Sequence, residues 1–206
     1  MWGYPSHLCV AVGDINGCVE LGKAEQLSGG CKTVMGPRDE SDAFIQGLAP
    51  STPNVLDNQR LYIAEKPSND PRRLDLRPAK PLEFELLEKY ADEMAKTDLG
   101  FSLRDEDPIA HRDLVRTNIH NGDILVADWH GNIAFVVELG SKSPFGVQIG
   151  SVFVPKPLRG KGLGARGMRG AMHLLLQNYP RITMLVREAN TIAVHTHTNA
   201  GFVPNT

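Results

Sequence analysis

The sequence lacks any apolar run that approaches the roughly 18 to 20 residues a membrane-spanning helix requires. Its first residues contain no basic cluster followed by an apolar segment, which is the pattern of a secretory signal. It also has no internal repeat and no low-complexity stretch, and 22% of its residues are charged. These features exclude disordered and fibrous chains, and they predict a cytoplasmic globular protein with no membrane partner.

Cysteine is scarce, and the three cysteines (Cys9, Cys18 and Cys31) show no CxxC spacing. Their odd number argues against a disulfide framework and against a structural zinc site. His195 and His197 are two residues apart on a predicted helix, so their side chains should leave different faces of it. The sequence therefore predicts no metal site.

Acidic residues are absent from residues 139 to 187, although the chain contains 24 of them. The same interval holds eight cations: Lys142, Lys156, Arg159, Lys161, Arg166, Arg169, Arg181 and Arg187. A solvated basic surface is one interpretation of this block. A nucleic-acid surface is a poorer one, because only Phe145, Phe153 and Tyr179 are interleaved as stacking partners. A small phosphorylated ligand fits the block better.

The order of predicted elements indicates an α/β protein with a mixed sheet and two regions. Residues 1 to 70 form a smaller α/β region, with a hairpin around residues 13 to 17, a helix from about residue 40 and a strand at 61 to 65. The polar, proline-bearing segment 66 to 71 is the expected boundary. From residue 73 the order is strand, two helices, three strands, helix, strand and helix, with the three strands as an antiparallel meander.

Two glycine segments are candidate phosphate loops. Residues 17 to 24 match GxxxxGK[ST] except that Ala24 lacks the hydroxyl needed for Mg²⁺. The pattern requires a helix directly after the loop, whereas turn residues are expected there, so a chance match is the better explanation.

The second segment joins a strand to a helix inside the basic block and reads Arg159-Gly-Lys-Gly-Leu-Gly164. Its backbone N–H groups and the positive end of the helix dipole can face one anion, and glycines allow phosphate oxygens to approach the main chain. These properties predict a pyrophosphate cradle. The spacing differs from GxGxxG, and no acidic residue for a ribose follows about 20 residues on, so a Rossmann site is not expected.

Residues 152 to 164 resemble the strand, R/Q-x-x-G-x-G/A loop and helix of the GNAT superfamily of acyl-CoA-dependent N-acyltransferases. A second element, from Asn190 to Phe202, resembles the N-x-x-A-x-x-x-Y-x-x-x-G-F pattern of that family. The resemblance covers residues 73 to 202, and the region before it is similar to the degenerate acetyltransferase-like half of some bacterial members. It implies a GNAT fold and an N-acetyltransferase with acetyl-CoA as co-substrate.

The resemblance also assigns residues to the cofactor. The backbone beside the pantetheine arm would come from Val152, Phe153 and Val154, and Asn190 would add a hydrogen bond besides capping its helix. The pyrophosphate would lie against the loop residues, which are Arg159, Gly160, Lys161, Gly162, Leu163 and Gly164.

Two catalytic candidates follow. Glu138, at the end of an apolar strand, could take a proton from the amine, although a solvated strand-end glutamate is the alternative. His197 stands where the family usually has a tyrosine that protonates the departing thiolate, and its reference pKa suits that task. An inert surface histidine in a degenerate, non-catalytic acyl-CoA-binding or regulatory module is the competing interpretation.

The acceptor is expected to be an amine, and acidic residues in the region of the first two helices favour a cationic small molecule or peptide. These are Asp92, Glu93, Asp98, Asp105, Glu106 and Asp107. Only four residues follow Phe202, so little of the family's closing pair of strands is left. An open sheet edge would then need a cover, which a homodimer partner or the N-terminal region could supply.

Overall fold

The computed structural model describes residues 8–31, 33–49, 58–98 and 102–205, which form two compact units divided between residues 56 and 57. The smaller unit contains β1 (Leu8–Val10), α1 (Ile15–Leu27), β2 (Thr33–Met35) and α2 (Arg38–Leu48), in that order. The two strands are parallel. The hairpin expected near the start is therefore wrong, because Asp14 accepts a hydrogen bond from the backbone N–H of Gly17 and caps a helix instead.

Glycines bring the two helices of the smaller unit into close contact. A Cβ atom on Gly22 would lie 2.1 Å from the carbonyl oxygen of Phe44, and one on Gly47 would lie 2.0 Å from that of Val19. The segment that matches the phosphate-loop pattern is thus part of α1, and Gly22 serves helix packing. Residues 17 to 24 form no loop, so the chance match is the correct interpretation, although the strand and turn expected there are wrong.

The larger unit carries the remaining elements. Its strands are β3 (Gln59–Ala64), β4 (Arg77–Pro78), β5 (Ile124–Trp129), β6 (Asn132–Ser143), β7 (Gly146–Phe153), β8 (Ile182–Arg187) and β9 (Val203–Pro204). Its helices are α3 (Phe84–Asp98), α4 (Leu103–Glu106), α5 (Pro108–His120), α6 (Leu163–Leu175) and α7 (Thr191–Ala200), with 3₁₀ turns at Pro81–Glu83 and Lys156–Leu158. None of the described helices is both long enough and apolar enough to cross a bilayer.

Among the described residues, seven strands form one mixed sheet in the order β4-β5-β6-β7-β8-β3-β9. Neighbouring strands are antiparallel except β7 and β8, which are parallel. The predicted meander of three antiparallel strands is confirmed as β5, β6 and β7. The pair Asp107-Pro108 predicts the start of a helix, and Asp107 indeed caps α5 with Pro108 at its first position.

The sheet separates two apolar clusters. On one face Val137 and Leu139 of β6 pack with residues of α6 and with Ala200 and Phe202. On the other face Val136 packs in a cluster with residues of α3 and α5. The helical spacing of Leu82, Leu86, Leu87, Tyr90 and Met94 predicts one apolar face, but Leu82 is 86% exposed whereas Leu87 is 2% exposed. Leu82 lies in the 3₁₀ turn that precedes α3 and not in the helix itself.

The strand β3 closes the edge of the sheet next to β8. It pairs antiparallel with β8 from Gln59↔Arg187 to Ala64↔Ile182, and β9 adds a short pairing on its other side. The expected boundary at residues 66 to 71 therefore lies inside the larger unit. The edge of β8 was expected to be covered by a homodimer partner or by the N-terminal region. In the structure it pairs with β3, which lies on the N-terminal side of the chain.

Candidate active site

The parallel strands β7 and β8 separate before they end. Their pairing runs only from Val147↔Ile182 to Ile149↔Met184, although the strands continue to Phe153 and Arg187. Across β6 the register passes from Ser151 to Ile149 between adjacent residues, so Gly150 is an extra residue that bends β7. The bend leaves the last residues of β7 without a ladder on the β8 side. Val152 and Phe153 lie in this opening and pair only with β6.

The loop after β7 leads into the N-terminus of α6. Gly160 and Gly162 have φ angles of +77° and +71°, a left-handed conformation that favours glycine, and Gly162 is the N-cap of α6. A Cβ atom at either position would meet nothing within 4 Å, so this main chain borders open space. The first N–H groups of α6 have no partner within the helix. This main chain has a geometry that suits an anion cradle, and its contact with a pyrophosphate stays a prediction.

The other loop residues hold this main chain in place. The Leu163 side chain is 1% exposed and lies in the core, so only its backbone can face a ligand. A Cβ atom on Gly164 would lie 3.0 Å from Cγ2 of Thr196, and this glycine therefore allows α6 to approach α7. The Arg159 Nε donates to the carbonyl of Val154 at 2.9 Å, while Lys161 is exposed. Of the two loop cations, Lys161 has the freer side chain.

Glu138 lies within β6, between Ile124 of β5 and Ser151 of β7, and is partly exposed. The prediction that Glu138 ends its strand is wrong, because β6 continues to Ser143. Burial raises the pKa of its carboxyl group, while hydrogen bonds from Asn118 Nδ2 and from Ser151 oppose that shift. A carboxylate whose pKa is raised in this way is a stronger base than an ordinary one.

Glu138 opens into a narrow cleft with mainly apolar walls. Its lining comprises Leu87, Tyr90, Ala91, Met94, Ile124, Val136, Ser151 and Phe153. The Tyr90 ring lies 4.9 Å from that of Phe153, and burial raises the pKa of its hydroxyl. Tyr90, Ser151 and Asn118 were not predicted as site residues. The periodicity of α3 marked Tyr90 only as apolar, and no pattern connects the other two with Glu138.

His197 lies in α7, which packs on the α6 side of the sheet, whereas Glu138 faces the α3 side. Its side chain is 6% exposed, and its ring meets Phe202 edge-on with 6.3 Å between ring centroids. Burial lowers its pKa to about 4, so the imidazole is neutral at pH 7. Its Nδ1 is buried without a hydrogen-bond partner among the described residues. The alternative of a surface histidine is wrong, and the role of His197 as proton donor stays a prediction.

The remaining predicted residues have local partners. Asn190 accepts a hydrogen bond from the backbone N–H of Ala193 at 3.0 Å and caps α7, and its contact with the cofactor stays a prediction. His195 is exposed and bonds to Asn199 at 2.8 Å, unlike the buried His197. Within residues 8–31, 33–49, 58–98 and 102–205, no cluster of three or more His, Cys, Asp or Glu side chains could hold a metal ion.

Most carboxylates in the acidic region of the first two helices form hydrogen bonds or ion pairs with other residues of the chain. Asp92 accepts from Ser102 Oγ at 2.6 Å and pairs with Lys96, and Asp107 caps α5. Glu93 pairs with Lys156. The side chain of Asp98 lies outside the described residues, so Asp105 and Glu106 are the two exposed carboxylates that remain of the predicted set.

A buried ion pair also lies in this region and was not predicted. Glu88 is fully buried and pairs with Arg104. Arg104 is the second residue of α4 and Glu88 lies in α3, so the ion pair attaches the start of α4 to α3.

Comparison with known proteins agrees with this geometry. The model of the Acetyltransferase (GNAT) family matches residues 85–202. No curated protein sequence matches the chain. Among solved structures, the "Acetyltransferase from GNAT family" of Colwellia psychrerythraea aligns with a TM-score of 0.58 at 15% identity, over 81% of this chain and 59% of that one. The chain thus spans about three fifths of that protein.

A second solved structure is yncA from Salmonella typhimurium, described with its cofactor acetyl-CoA. It aligns with a TM-score of 0.50 at 16% identity, over 65% of this chain and 81% of that one. At such identities these likenesses concern the fold.

Proposed function

Because the chain belongs to the GNAT acetyltransferase family, we propose that it transfers an acetyl group from acetyl-CoA to a primary amine of a small molecule or peptide by direct attack. The observation that carries the proposal is the opening between β7 and β8, which lies directly before the glycine loop at the start of α6. The opening offers unpaired main chain to an extended pantetheine arm. The loop offers N–H groups to a diphosphate.

The reaction forms an amide C–N bond and breaks the thioester C–S bond. Acetyl-CoA supplies the activated acyl group when bound. One proton must leave the amine, and one must reach the thiolate. Glu138 accepts the amine proton, directly or through water, because burial raises the pKa of its carboxyl group and makes its carboxylate a stronger base. The hydrogen bond from Asn118 holds the carboxylate in the cleft.

The acceptor enters, in this proposal, through the cleft in front of Glu138. The walls of that cleft are apolar side chains of α3 and of the sheet, which favour an amine attached to an apolar group. The exposed Asp105 and Glu106 attract a cationic acceptor to the same side of the unit. A panel that includes aralkylamines, polyamines and basic peptides tests this, and a preference for amines that carry a carboxylate would contradict it.

A second candidate function is a non-catalytic acyl-CoA-binding or regulatory module. The observation that favours it is the burial of His197, because a neutral imidazole with a pKa of about 4 is a weak source of protons at pH 7. In this alternative the cofactor binds and no amine is acylated.

Thiol release from acetyl-CoA, measured with and without the amine panel, separates the two functions. An acetyltransferase releases thiol in proportion to the amine acetylated, and Glu138→Gln abolishes most of that release. The matched control is Glu85→Gln, which removes a 74% exposed carboxylate from α3. Calorimetric binding of coenzyme A without release of thiol for any amine would support the non-catalytic module instead.

A further inference from the structure

A basic cleft lies beside the glycine loop in the larger unit. Four cations line it, namely Arg72, Lys161, Arg166 and Arg169, together with the backbone of Gly162 and with Asn199 near the end of α7. These residues come from three segments: the chain before β4, the loop with α6, and α7. The cleft is therefore assembled by the fold, because residue 72 and residue 199 reach it from distant parts of the sequence.

The cleft continues from the loop along one face of α6. Gly162, Arg166 and Arg169 are spaced four and three residues apart, so they share a face of the helix. At a rise of about 1.5 Å per residue, Arg166 lies about 6 Å and Arg169 about 10 Å along the helix axis from Gly162. The main-chain cradle and the arginines thus form one continuous basic surface with its anion-binding loop at one end.

The charge of the cleft is only partly neutralised. Asp70 pairs with Arg72 at 2.8 Å and with Arg169 at 3.0 Å, so one carboxylate serves two arginines. Lys161 forms no ion pair with any residue that the structure describes. Arg166 lies over the ring of Trp129, 4.5 Å from its centroid, and has no carboxylate partner there either. The cleft therefore retains an excess of positive charge.

Two of the arginines are held rigidly. The side chain of Arg169 is only 10% exposed, and it donates to the carbonyl oxygens of Arg72 at 3.2 Å and Asn199 at 2.9 Å. The Nε atoms of Arg166 and Arg169 are buried and have no acceptor among the described residues. Guanidinium groups fixed by stacking and by backbone contacts lose little entropy when they bind a phosphate. This arrangement has the features of a built anion site.

From this arrangement we infer that the cleft binds a phosphomonoester, the 3′-phosphate of coenzyme A, with Arg72 and Arg166 as its principal contacts. Arg169, which donates to the carbonyl oxygen of Arg72, is the residue that positions Arg72. The inference rests on the proposed function, in which the loop holds the pyrophosphate. The two phosphate groups are attached to one ribose, so a ligand with its pyrophosphate at Gly162 carries the monoester a short distance along the cleft. The site thus makes this protein specific for the 3′-phosphorylated cofactor.

Calorimetry with coenzyme A and dephospho-coenzyme A tests the inference. The wild-type protein should bind coenzyme A at least tenfold more tightly, because a phosphomonoester gains contacts with two arginines. Arg166→Gln and Arg72→Gln should each reduce this preference several-fold and leave the affinity for dephospho-coenzyme A nearly unchanged. Arg72 is 78% exposed, so its variant keeps the fold even if Arg166→Gln perturbs packing on Trp129.

The charge-matched control is Arg116→Gln on α5, which should leave the preference at its wild-type value because Arg116 lies on the surface near Phe84. Adenosine 3′,5′-bisphosphate should also compete with coenzyme A better than adenosine 5′-diphosphate does. Equal wild-type affinity for the two cofactors overturns the inference. An arginine variant that loses affinity for coenzyme A and for dephospho-coenzyme A to the same extent also overturns it. The same holds if Arg166→Gln abolishes the binding of inorganic phosphate but leaves the preference for coenzyme A over dephospho-coenzyme A unchanged.

Failure of the proposed function has a different signature. In that case the wild-type protein binds neither cofactor, or it binds coenzyme A and releases no thiol with any amine. Binding of both cofactors with equal affinity, accompanied by amine-dependent release of thiol, refutes the phosphate site alone.

Discussion

The glycine loop and the Glu138 cleft lie in the same unit, yet they are built in different ways. The loop presents main-chain atoms of consecutive residues, and its shape depends on left-handed glycines and on the start of α6. The cleft presents side chains from one helix and three strands, and its Glu138 depends on Ser151 and on Asn118 of a second helix. A site made of main chain leaves a local pattern in the sequence. A site made of side chains from separate elements exists only once the sheet and helices have packed.

The largest effect is expected on the side-chain site. Glu138→Gln should lower kcat/KM by about 100-fold or more, because a positioned general base contributes roughly 10² to 10⁴ in rate. Coenzyme A affinity should stay within about twofold of wild type, since the loop is unchanged. Steady-state kinetics at saturating acetyl-CoA measure the first quantity, and calorimetry measures the second.

Full turnover in a folded Glu138→Gln protein would contradict the role of Glu138 as the base. Tyr90, which lines the same cleft, would then be the next candidate for that role.

The next effect concerns His197, which lies on the loop side of the sheet. The unfolded histidine takes up a proton near pH 6.5 and the folded one near pH 4, so the unfolded state binds more protons between these values. Stability therefore falls as pH falls through this window, by about 2 kcal/mol at pH 5 relative to pH 7. The nontitrating variant His197→Gln should lose about 2 kcal/mol less than wild type over the same interval. Urea denaturation at pH 5 and pH 7 measures this difference.

An identical pH dependence in the two proteins would show that the imidazole titrates normally. Kinetics of the same variant test the proton-donor role, which unchanged turnover would contradict.

A smaller effect is expected for the main-chain site. Gly162→Val should weaken coenzyme A binding by tenfold or more, since a β-branched residue is strained at a φ of +71° and obstructs the approach to the N–H groups. The control is Gly122→Val, at a φ of +69° with open space around it and outside the loop. Calorimetry should show near wild-type binding for the control. Equal weakening in both variants would mean that strain alone acts, and unchanged binding by Gly162→Val would mean that the cradle lies elsewhere.

The smallest effect is expected for Asn118→Ala. Its amide donates to Glu138 and stabilises the carboxylate, so its loss should raise the pKa of Glu138 further. The rising limb of the pH profile of kcat/KM should then move to higher pH by less than one unit, with only a few-fold loss near neutrality. A uniform loss at every pH would indicate that Asn118 supports packing instead.

The sequence predicted the meander, the glycine loop, the helix, strand and helix that follow it, and the caps of α5 and α7, because local backbone chemistry determines these features. The strand expected from residue 73 begins only at Arg77, and α4 adds a short helix that was not expected. It failed where tertiary contacts compete with local signals. The Asn16-Gly17 pair suggested a turn, but Asp14 caps a helix there, and Gly22 fits the contact with α2. Similarly, no spacing rule joins Asn118 to Glu138, since β5 and β6 must pair before the two side chains meet.

The strand β3 also has a consequence for the order in which the unit forms. Gln59 pairs with Arg187, so a ladder of the sheet joins residues 128 positions apart in sequence. Closing so long a loop is slow, and non-local pairings of this kind reduce folding rates. During synthesis β3 leaves the ribosome well before β8 exists, and its edge stays without that neighbour while about 120 further residues are added at roughly 5 to 20 per second. The strand that covers the edge of β8 in the folded sheet is thus made early in synthesis but can form this ladder only late.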